Sequence, residues 1–146
     1  MIWTRPFNPI DVPAMVEMVN EAFTEVYPSN LWADIAGYWP EGFIMLLDGN
    51  AQIGALVGVM DSEINARVLI LVVKPRHRNK NYGSLLLERL YEASKARTLK
   101  TITLEVRKSN GSALRFYEKN GFKTVRELPC FYTNGDDAWQ MQKDVV

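Results

Sequence analysis

Residues 68–90 decide the fold, and they read VLILVVKPRHRNKNYGSLLLERL. The first six residues form an unbroken apolar run, which predicts a central strand buried on both faces. That run ends at Lys74-Pro75, and a helix is predicted to begin near Gly83. A strand, a polar loop and a helix therefore follow one another in this stretch.

The loop between this strand and the helix is strongly basic. Four cations, Lys74, Arg76, Arg78 and Lys80, fall within seven residues. The N-terminus of a helix offers unpaired backbone N–H groups and a partial positive charge, and both attract a phosphate group. Gly83 would let the backbone approach such an anion closely. The loop is predicted to bind an anion, and the alternative is a basic turn that is merely solvated.

Charge is divided unevenly along the chain. Residues 1–73 contain two cations and nine acids, whereas residues 74–146 contain fifteen cations and eight acids. The two halves therefore carry net charges of −7 and +7, although the whole chain is neutral. Such asymmetry suggests that one domain has two different electrostatic tasks.

Length and composition are typical of one globular domain spanning residues 1–146. Apolar residues make up 47% of the chain and charged residues 23%. The longest apolar run is too short for a membrane helix, which needs about 20 residues. The first residues do not resemble a signal peptide, so a cytoplasmic protein without membrane contact is expected. The single cysteine, Cys130, and the single histidine, His77, argue against a disulfide and a zinc site, so no metal is expected.

Hydrophobic patterning over the rest of the chain predicts a mixed α/β fold. Strands are predicted at residues 2–5, 43–47, 51–60, 68–73, 101–107, 122–127 and 138–143. Helices are predicted from Asp11 to residue 23, at residues 31–37 and 82–97, and from Ser109 to Asn120. Asp11 and Ser109 are the expected N-terminal caps.

The fifth predicted strand and the helix after it carry candidate functional residues. The strand alternates cleanly, so Glu105 faces away from its apolar side. From the pattern alone, one interpretation of Glu105 is an exposed carboxylate paired with Arg107. In the helix, Asn110 and Tyr117 share one face, and the small Ala113 between them would leave room for a bound molecule. The alternative for Tyr117 is a half-buried aromatic residue with its hydroxyl at the surface.

Residues 73–86, VKPRHRNKNYGSLL, resemble the acetyl-CoA signature of the GNAT N-acetyltransferases. That signature follows a strand and a proline, and it reads Arg or Gln, two variable residues, Gly, one variable residue, and Gly or Ala. Arg78 and Gly83 match it, and Asn81 stands where the first Gly is expected. Asn tolerates the left-handed backbone conformation better than other non-glycine residues, so the loop shape is predicted to be kept.

Later segments resemble one branch of that family, the ribosomal-protein-alanine N-acetyltransferases and the related archaeal and eukaryotic N-terminal acetyltransferases. The similar segments are WPEGF at 39–43, LEVRKSN at 104–110, FYEKNGF at 116–122 and FYTNGDDAWQM at 131–141. The resemblance covers residues 1–143. One departure lies at Leu128-Pro129-Cys130, where that branch usually carries basic residues.

The resemblance implies a GNAT fold, in which about four helices flank one mixed, mostly antiparallel sheet of about seven strands. It also implies that acetyl-CoA is the cosubstrate. The residues that it places at acetyl-CoA are Leu71, Val72, Val73, Arg78, Asn79, Lys80, Asn81, Tyr82, Gly83, Ser84 and Asn110.

Catalytic and acceptor-binding roles also follow from the resemblance. Glu105 would accept the proton of the attacking amine, and Tyr117 would lie near the sulfur of the cofactor. Backbone N–H groups around Val72 and Val73 would stabilise the charge that develops on the acetyl oxygen. The residues implied to bind the acceptor are Glu25, Tyr27 and Tyr132.

The implied reaction is direct attack of a primary amine on acetyl-CoA. The expected acceptor is the N-terminal α-amine of a protein or peptide, with ribosomal proteins among the candidates. One alternative is a GNAT enzyme that acts on a small-molecule amine or on lysine. A CoA-binding or nucleic-acid-binding module without catalysis is a third hypothesis, although basic and aromatic residues are sparsely interleaved outside residues 74–82. The sequence leaves monomer and homodimer open.

Overall fold

The structure, a computed structural model, describes residues 1–24 and 27–146. The strands in this part of the chain are β1 (Ile2–Pro6), β2 (Phe43–Asp48), β3 (Ala51–Met60), β4 (Asn65–Val73), β5 (Thr101–Arg107), β6 (Lys123–Leu128) and β7 (Ala138–Asp144). The α-helices are α1 (Val12–Ala22), α2 (Asn30–Tyr38), α3 (Tyr82–Ala96) and α4 (Gly111–Lys119). None of these helices has the length and apolar character that a membrane span requires.

The strands form one sheet in the order β1-β2-β3-β4-β5-β7-β6. Strands β4 and β5 run parallel, and the other neighbouring pairs are antiparallel. Helix α3 makes the crossover that a parallel pair requires. The predicted mixed, mostly antiparallel sheet with its helices is therefore confirmed.

Two apolar cores pack against this sheet. Helices α1 and α2 contribute Met15, Met18 and Trp32 to one core. Helix α3 contributes Leu86 and Leu90 to the other core, and apolar residues of α4 pack against it. Since helices cover the sheet through both cores, the sheet is a rigid base for the loops at its ends.

Strand β4 differs from the predicted strand, because it is not buried on both faces throughout. Val57 pairs with Ile70 and Gly58 pairs with Val68, so Leu69 is an extra residue without a partner on β3. Such a bulge re-aims the side chains around it. Leu69 is 43% exposed, while its neighbours Val68 and Ile70 are buried in different cores.

The two predicted helix caps are also wrong in detail. Asp11 makes no side-chain cap for α1, because its buried carboxylate accepts from the Arg5 guanidinium at 2.7 and 2.8 Å. Burial would raise the pKa of Asp11, but hydrogen bonds from Arg5, Gln52 and the Asn8 backbone lower it below its ordinary value. Helix α4 is capped by Asn110 rather than by Ser109, since Asn110 Oδ1 accepts from Ala113 N at 3.2 Å.

Candidate active site

Strands β4 and β5 separate partway along the sheet, and this opening is called the fork. Their parallel pairing runs from Asn65–Thr101 to Arg67–Thr103. Strand β4 then continues to Val73 without pairing with β5. The fork therefore opens the middle of the sheet next to the bulge at Leu69.

Two clefts meet at the fork. The fork cleft, of about 560 Å³, lies between β4 and β5 and extends to the end of α1. The loop cleft, of about 450 Å³, lies between the end of β4, the loop at residues 74–81 and α4. Leu71, Ala113 and Tyr117 line both clefts, so the clefts join at these residues.

The unpaired part of β4 directs backbone N–H groups into the fork. Lys74 N donates to Ile53 O at 2.8 Å, so position 74 faces β3. Because direction alternates along an antiparallel ladder, the N–H groups of Val73 and Leu71 point away from β3, and that of Val72 points toward it. The N–H groups of Val73 and Leu71 can therefore donate to a molecule bound in the fork.

The loop at residues 74–81 leaves the start of α3 without a side-chain cap. Asn79 and Asn81 adopt the left-handed conformation, with φ values of 62° and 64°. Asn81 is the N-cap residue of α3, yet its side chain makes no capping hydrogen bond. The backbone shape predicted at Asn81 is confirmed, and the first N–H groups of α3 can bind an external anion.

Cations and a tight helix contact shape the loop cleft. Arg78 Nε donates to Val73 O at 3.0 Å, which ties the loop to the end of β4. At Gly83, a Cβ atom would lie 2.9 Å from Phe116 Cζ, so a side chain there would push the ring of α4 aside. His77 and Lys119 also line this cleft. Phe116 and Lys119 were not predicted, because only the folded chain brings α4 next to this loop.

An ion pair lies at the point where β4 and β5 separate. Arg67 Nε donates to Glu105 Oε1 at 2.9 Å, and Arg67 Nη2 lies 2.8 Å from the same oxygen. The Glu105 side chain is only 9% exposed, but it lines the fork cleft. The predicted face of Glu105 is correct, whereas its ion-pair partner is Arg67 and not Arg107.

Arg107 instead holds the loop between β6 and β7. Its Nη1 donates to Asp136 Oδ2 at 2.7 Å and to Asn134 Oδ1 at 3.2 Å. Its guanidinium carbon lies 3.8 Å from the centre of the Tyr132 ring. Arg107 and Tyr132 both line the fork cleft, so their contact holds one wall of that cleft in place.

Tyr117 lies at the junction of the two clefts. Burial, together with the smaller effect of the neighbouring Tyr132, raises the pKa of Tyr117 to about 12. Its ring packs against Phe116 and Phe122, with centroid distances of 5.1 and 5.7 Å. The hydroxyl therefore remains protonated near neutral pH and can donate a hydrogen bond.

The remaining predicted residues divide into three groups. Tyr82 and Asn79 line the loop cleft, and Asn110 lines the fork cleft while its Oδ1 caps α4. Four other predicted residues do not line either cleft: Tyr27, Val72, Lys80 and Ser84. The ring of Tyr27 packs against the ring of Trp32, with 5.5 Å between their centroids. Glu25 lies outside the described residues.

Residues 1–24 and 27–146 contain no group of three or more His, Cys, Asp or Glu side chains that could hold a metal ion.

Comparison with known proteins identifies relatives over nearly the whole chain. The model of the Acetyltransferase (GNAT) family matches residues 12–122. An uncharacterized N-acetyltransferase of Methanocaldococcus jannaschii is 37% identical over 95% of this chain and 89% of its own length. N-alpha-acetyltransferase 30 of Schizosaccharomyces pombe is 24% identical over 96% of both chains.

Solved structures agree with these sequence relatives. The crystal structure of Ard1 from Thermoplasma volcanium superimposes with a TM-score of 0.93 at 30% identity, and the match covers 99% of this chain and 98% of that one. The ribosomal-protein-S18-alanine N-acetyltransferase of Escherichia coli shares the fold, with a TM-score of 0.84 at 23% identity over 99% of this chain and 94% of that one.

Proposed function

Because this chain belongs to the acetyltransferase (GNAT) family, we propose that it transfers the acetyl group of acetyl-CoA to the α-amine at the N-terminus of a protein. The observation that carries the proposal is the meeting of the loop cleft and the fork cleft at Tyr117. One cleft has the chemistry to bind an anionic donor, and the other has a carboxylate and aromatic walls for an amine. The S. pombe relative named as an N-alpha-acetyltransferase supports this choice of acceptor.

The loop cleft would hold the phosphate groups of acetyl-CoA. The uncapped start of α3 supplies backbone N–H groups, and Arg78 supplies a full positive charge beside them. Asn81 holds the left-handed turn that exposes those N–H groups. Lys119 of α4 adds a second cation on the opposite wall.

The fork would hold the thioester, which is the activated group that acetyl-CoA brings to the reaction. The N–H group of Leu71, which lies where the two clefts join, would donate to its carbonyl oxygen, where negative charge develops as the amine attacks. The N–H group of Val73, about 6.6 Å further along the strand, would donate to another polar group of the cofactor. The sequence-based proposal named the region of Val72 and Val73. The alternation of β4 instead selects Leu71 and Val73, since the N–H of Val72 faces β3.

Glu105 would accept the proton that the attacking amine loses, either directly or through a water molecule. An α-amine has an ordinary pKa of about 7.7–8.0, whereas the pKa of a lysine side chain is about 10.4. Deprotonating lysine therefore costs about 3.4 kcal/mol more. The Glu105 carboxylate therefore suits the α-amine better.

Tyr117 would donate a hydrogen bond to the sulfur as it leaves. With a pKa raised to about 12, the phenol is a much weaker acid than a thiol, whose ordinary pKa is about 8.5. Transfer of its proton to the thiolate would therefore be strongly uphill. The proposed role of Tyr117 is hydrogen-bond stabilisation of the thiolate, and solvent supplies the proton later.

Two segments would contact the acceptor. Tyr132 on the β6–β7 loop would donate to the peptide backbone, and Ala22 and Phe23 at the end of α1 line the cleft opposite it. Tyr27 would flank the first side chain of the acceptor. Glu25, which lies outside the described residues, is proposed from the sequence alone to attract the ammonium group.

We treat residues 1–146 as a single acetyltransferase domain, because β1, β6 and β7 lie outside the matched residues 12–122 and yet complete the same sheet. We place the reaction in the cytoplasm, where acetyl-CoA and newly made protein N-termini are both present. Ribosomal proteins are proposed among the acceptors. Sedimentation of the purified chain will decide between a monomer and a homodimer.

Mass spectrometry of a doubly reactive peptide tests the proposal. The peptide carries a free N-terminus and one internal lysine, and a copy with a blocked N-terminus is the matched control. We expect acetyl-CoA-dependent acetylation at the α-amine, and very little with the blocked copy. Acetylation mainly at lysine, or only of a small polyamine or aminoglycoside, would overturn the choice of acceptor and favour a small-amine or lysine acetyltransferase.

A further inference from the structure

The backbone pairing of β4 with β5 ends at Arg67 and Thr103, yet a side-chain ion pair connects the two strands at the fork. Arg67 is the last residue of β4 that pairs with β5, and its backbone partner is Thr103. The Arg67 side chain extends past Thr103 and contacts Glu105, two residues further along β5. Glu105 lines the fork cleft.

The contact uses one carboxylate oxygen and leaves the other unengaged. Nε and Nη2 of Arg67 both lie within 2.9 Å of Glu105 Oε1. Among residues 1–24 and 27–146, no hydrogen bond engages Glu105 Oε2. A carboxylate held in this way is fixed in direction, and its second oxygen can still accept a proton.

We propose that Arg67 is a positioning residue that fixes the Glu105 carboxylate at the mouth of the fork, so that Oε2 faces the attacking amine. This inference rests on the proposed role of Glu105 as proton acceptor. Arg67 itself touches neither the donor nor the acceptor. It acts through Glu105 by restricting a side chain that otherwise has three rotatable bonds.

The planar guanidinium suits this task better than an ammonium group would. Two donors in a rigid plane converge on Oε1 and hold that oxygen in the plane of the guanidinium, whereas an ammonium fixes only a distance. Below the ion pair, Asn65 Nδ2 donates to Thr103 Oγ1 at 2.8 Å, and Thr101 Oγ1 donates to Asn65 Oδ1 at 2.8 Å. These two hydrogen bonds stabilise the closed end of the fork, so the pairing of β4 with β5 does not depend on Arg67 alone.

Arg107 provides a matched comparison on the same face of the sheet. The side chains of Arg67 and Arg107 are 35% and 34% exposed, and their ion pairs measure 2.8 and 2.7 Å. Arg107 holds Asp136 in a loop, whereas Arg67 holds the proposed proton acceptor. Two arginines of similar exposure and ion-pair length but with different partners predict different kinetic effects.

A double-mutant cycle tests the inference with the full chain, acetyl-CoA and an N-terminal peptide. The variants are Arg67→Met, Arg67→Lys, Glu105→Gln and the double change Arg67→Met with Glu105→Gln. We expect Arg67→Met to lower kcat by about tenfold to a hundredfold with little change in acceptor KM, because misorientation slows the chemical step. Arg67→Lys should recover part of the loss. In the Glu105→Gln background, Arg67→Met should cause no further loss.

Each outcome is decisive. Additive losses in the double variant, or a change in KM without a change in kcat, would show that Arg67 does not act through Glu105. If Glu105→Gln keeps the original kcat, the proposed role of Glu105 fails first, and the inference fails with it. If Arg67→Met does not fold, as judged by loss of its cooperative thermal unfolding transition, the Arg67→Lys cycle gives the same decision.

Discussion

The loop cleft and the fork cleft share three residues, but the chain builds them in different ways. Most of the loop cleft comes from one continuous stretch, residues 71–83, with α4 completing it. The fork cleft takes residues from the end of α1, from β4, β5 and α4, and from the β6–β7 loop. A binding site formed by neighbouring residues can be recognised in a sequence, whereas one formed by distant segments depends on strand register and packing.

The two clefts also differ in the chemistry they offer. The loop cleft offers backbone N–H groups and cations such as Arg78, which suit any molecule with phosphate groups. The fork cleft offers the Glu105 carboxylate and the aromatic wall at Tyr132, which suit a particular amine. Changes in one cleft should therefore alter donor binding, and changes in the other should alter acceptor use, except at the junction.

Tyr117→Phe, at that junction, should have the largest effect of the changes below. Removing a hydrogen bond to a developing thiolate should lower kcat by about tenfold to a hundredfold. Because the pKa of Tyr117 is about 12, its phenol does not titrate in the assay range, so the loss should be the same from about pH 6 to 9. Turnover of both proteins across that range is the measurement. A loss that appears only on one side of the range would mean that Tyr117 transfers its proton.

Arg107→Met, in the fork cleft, should raise acceptor KM by about fivefold to tenfold, because it removes an ion pair and a cation–π contact behind Tyr132. The affinity for acetyl-CoA should not change. Lys108→Met is the matched control, since Lys108 pairs with Glu127 at 2.8 Å and lies over Trp139 at 4.4 Å without lining either cleft. Steady-state kinetics with a peptide should separate the two variants, and an equal rise in KM for both would contradict the account.

Asn81→Gly, in the loop cleft, should have the smallest effect. Glycine adopts the left-handed conformation at position 81 without the strain of a side chain, so the folded chain should gain up to about 1 kcal/mol. The N–H groups of α3 stay where they are, so the affinity for acetyl-CoA should change by less than about twofold. Urea unfolding and titration with acetyl-CoA check the two parts. A large gain in affinity would show that Asn81 distorts the anion site.

The sequence predicted the parts of the molecule that depend on local pattern. The order of strands and helices, the start of α3 and the left-handed turn at Asn81 all follow from apolar spacing and from the intrinsic preferences of Asn, Gly and Pro. The face of Glu105 follows from simple alternation along β5.

The parts that could not be predicted depend on contacts between distant segments. The bulge at Leu69 arises from the register of β3 against β4, and an apolar run contains no signal for it. The pairing of Glu105 with Arg67 rather than Arg107 follows from the parallel alignment of β4 and β5. Lys119 lies in the loop cleft only because α4 packs beside α3.

The central claim is that the two clefts form one site, with the α-amine of a peptide at the fork next to the donor thioester. Calorimetric titration with a conjugate that joins a peptide to CoA through an acetyl bridge at its α-nitrogen tests this claim directly. We predict that the conjugate binds at least about a hundredfold more tightly than CoA, because both clefts are engaged at once. A conjugate joined through a lysine side chain of the same peptide should gain much less. Affinity equal to that of CoA alone, or tighter binding of the lysine-linked conjugate, would contradict the account.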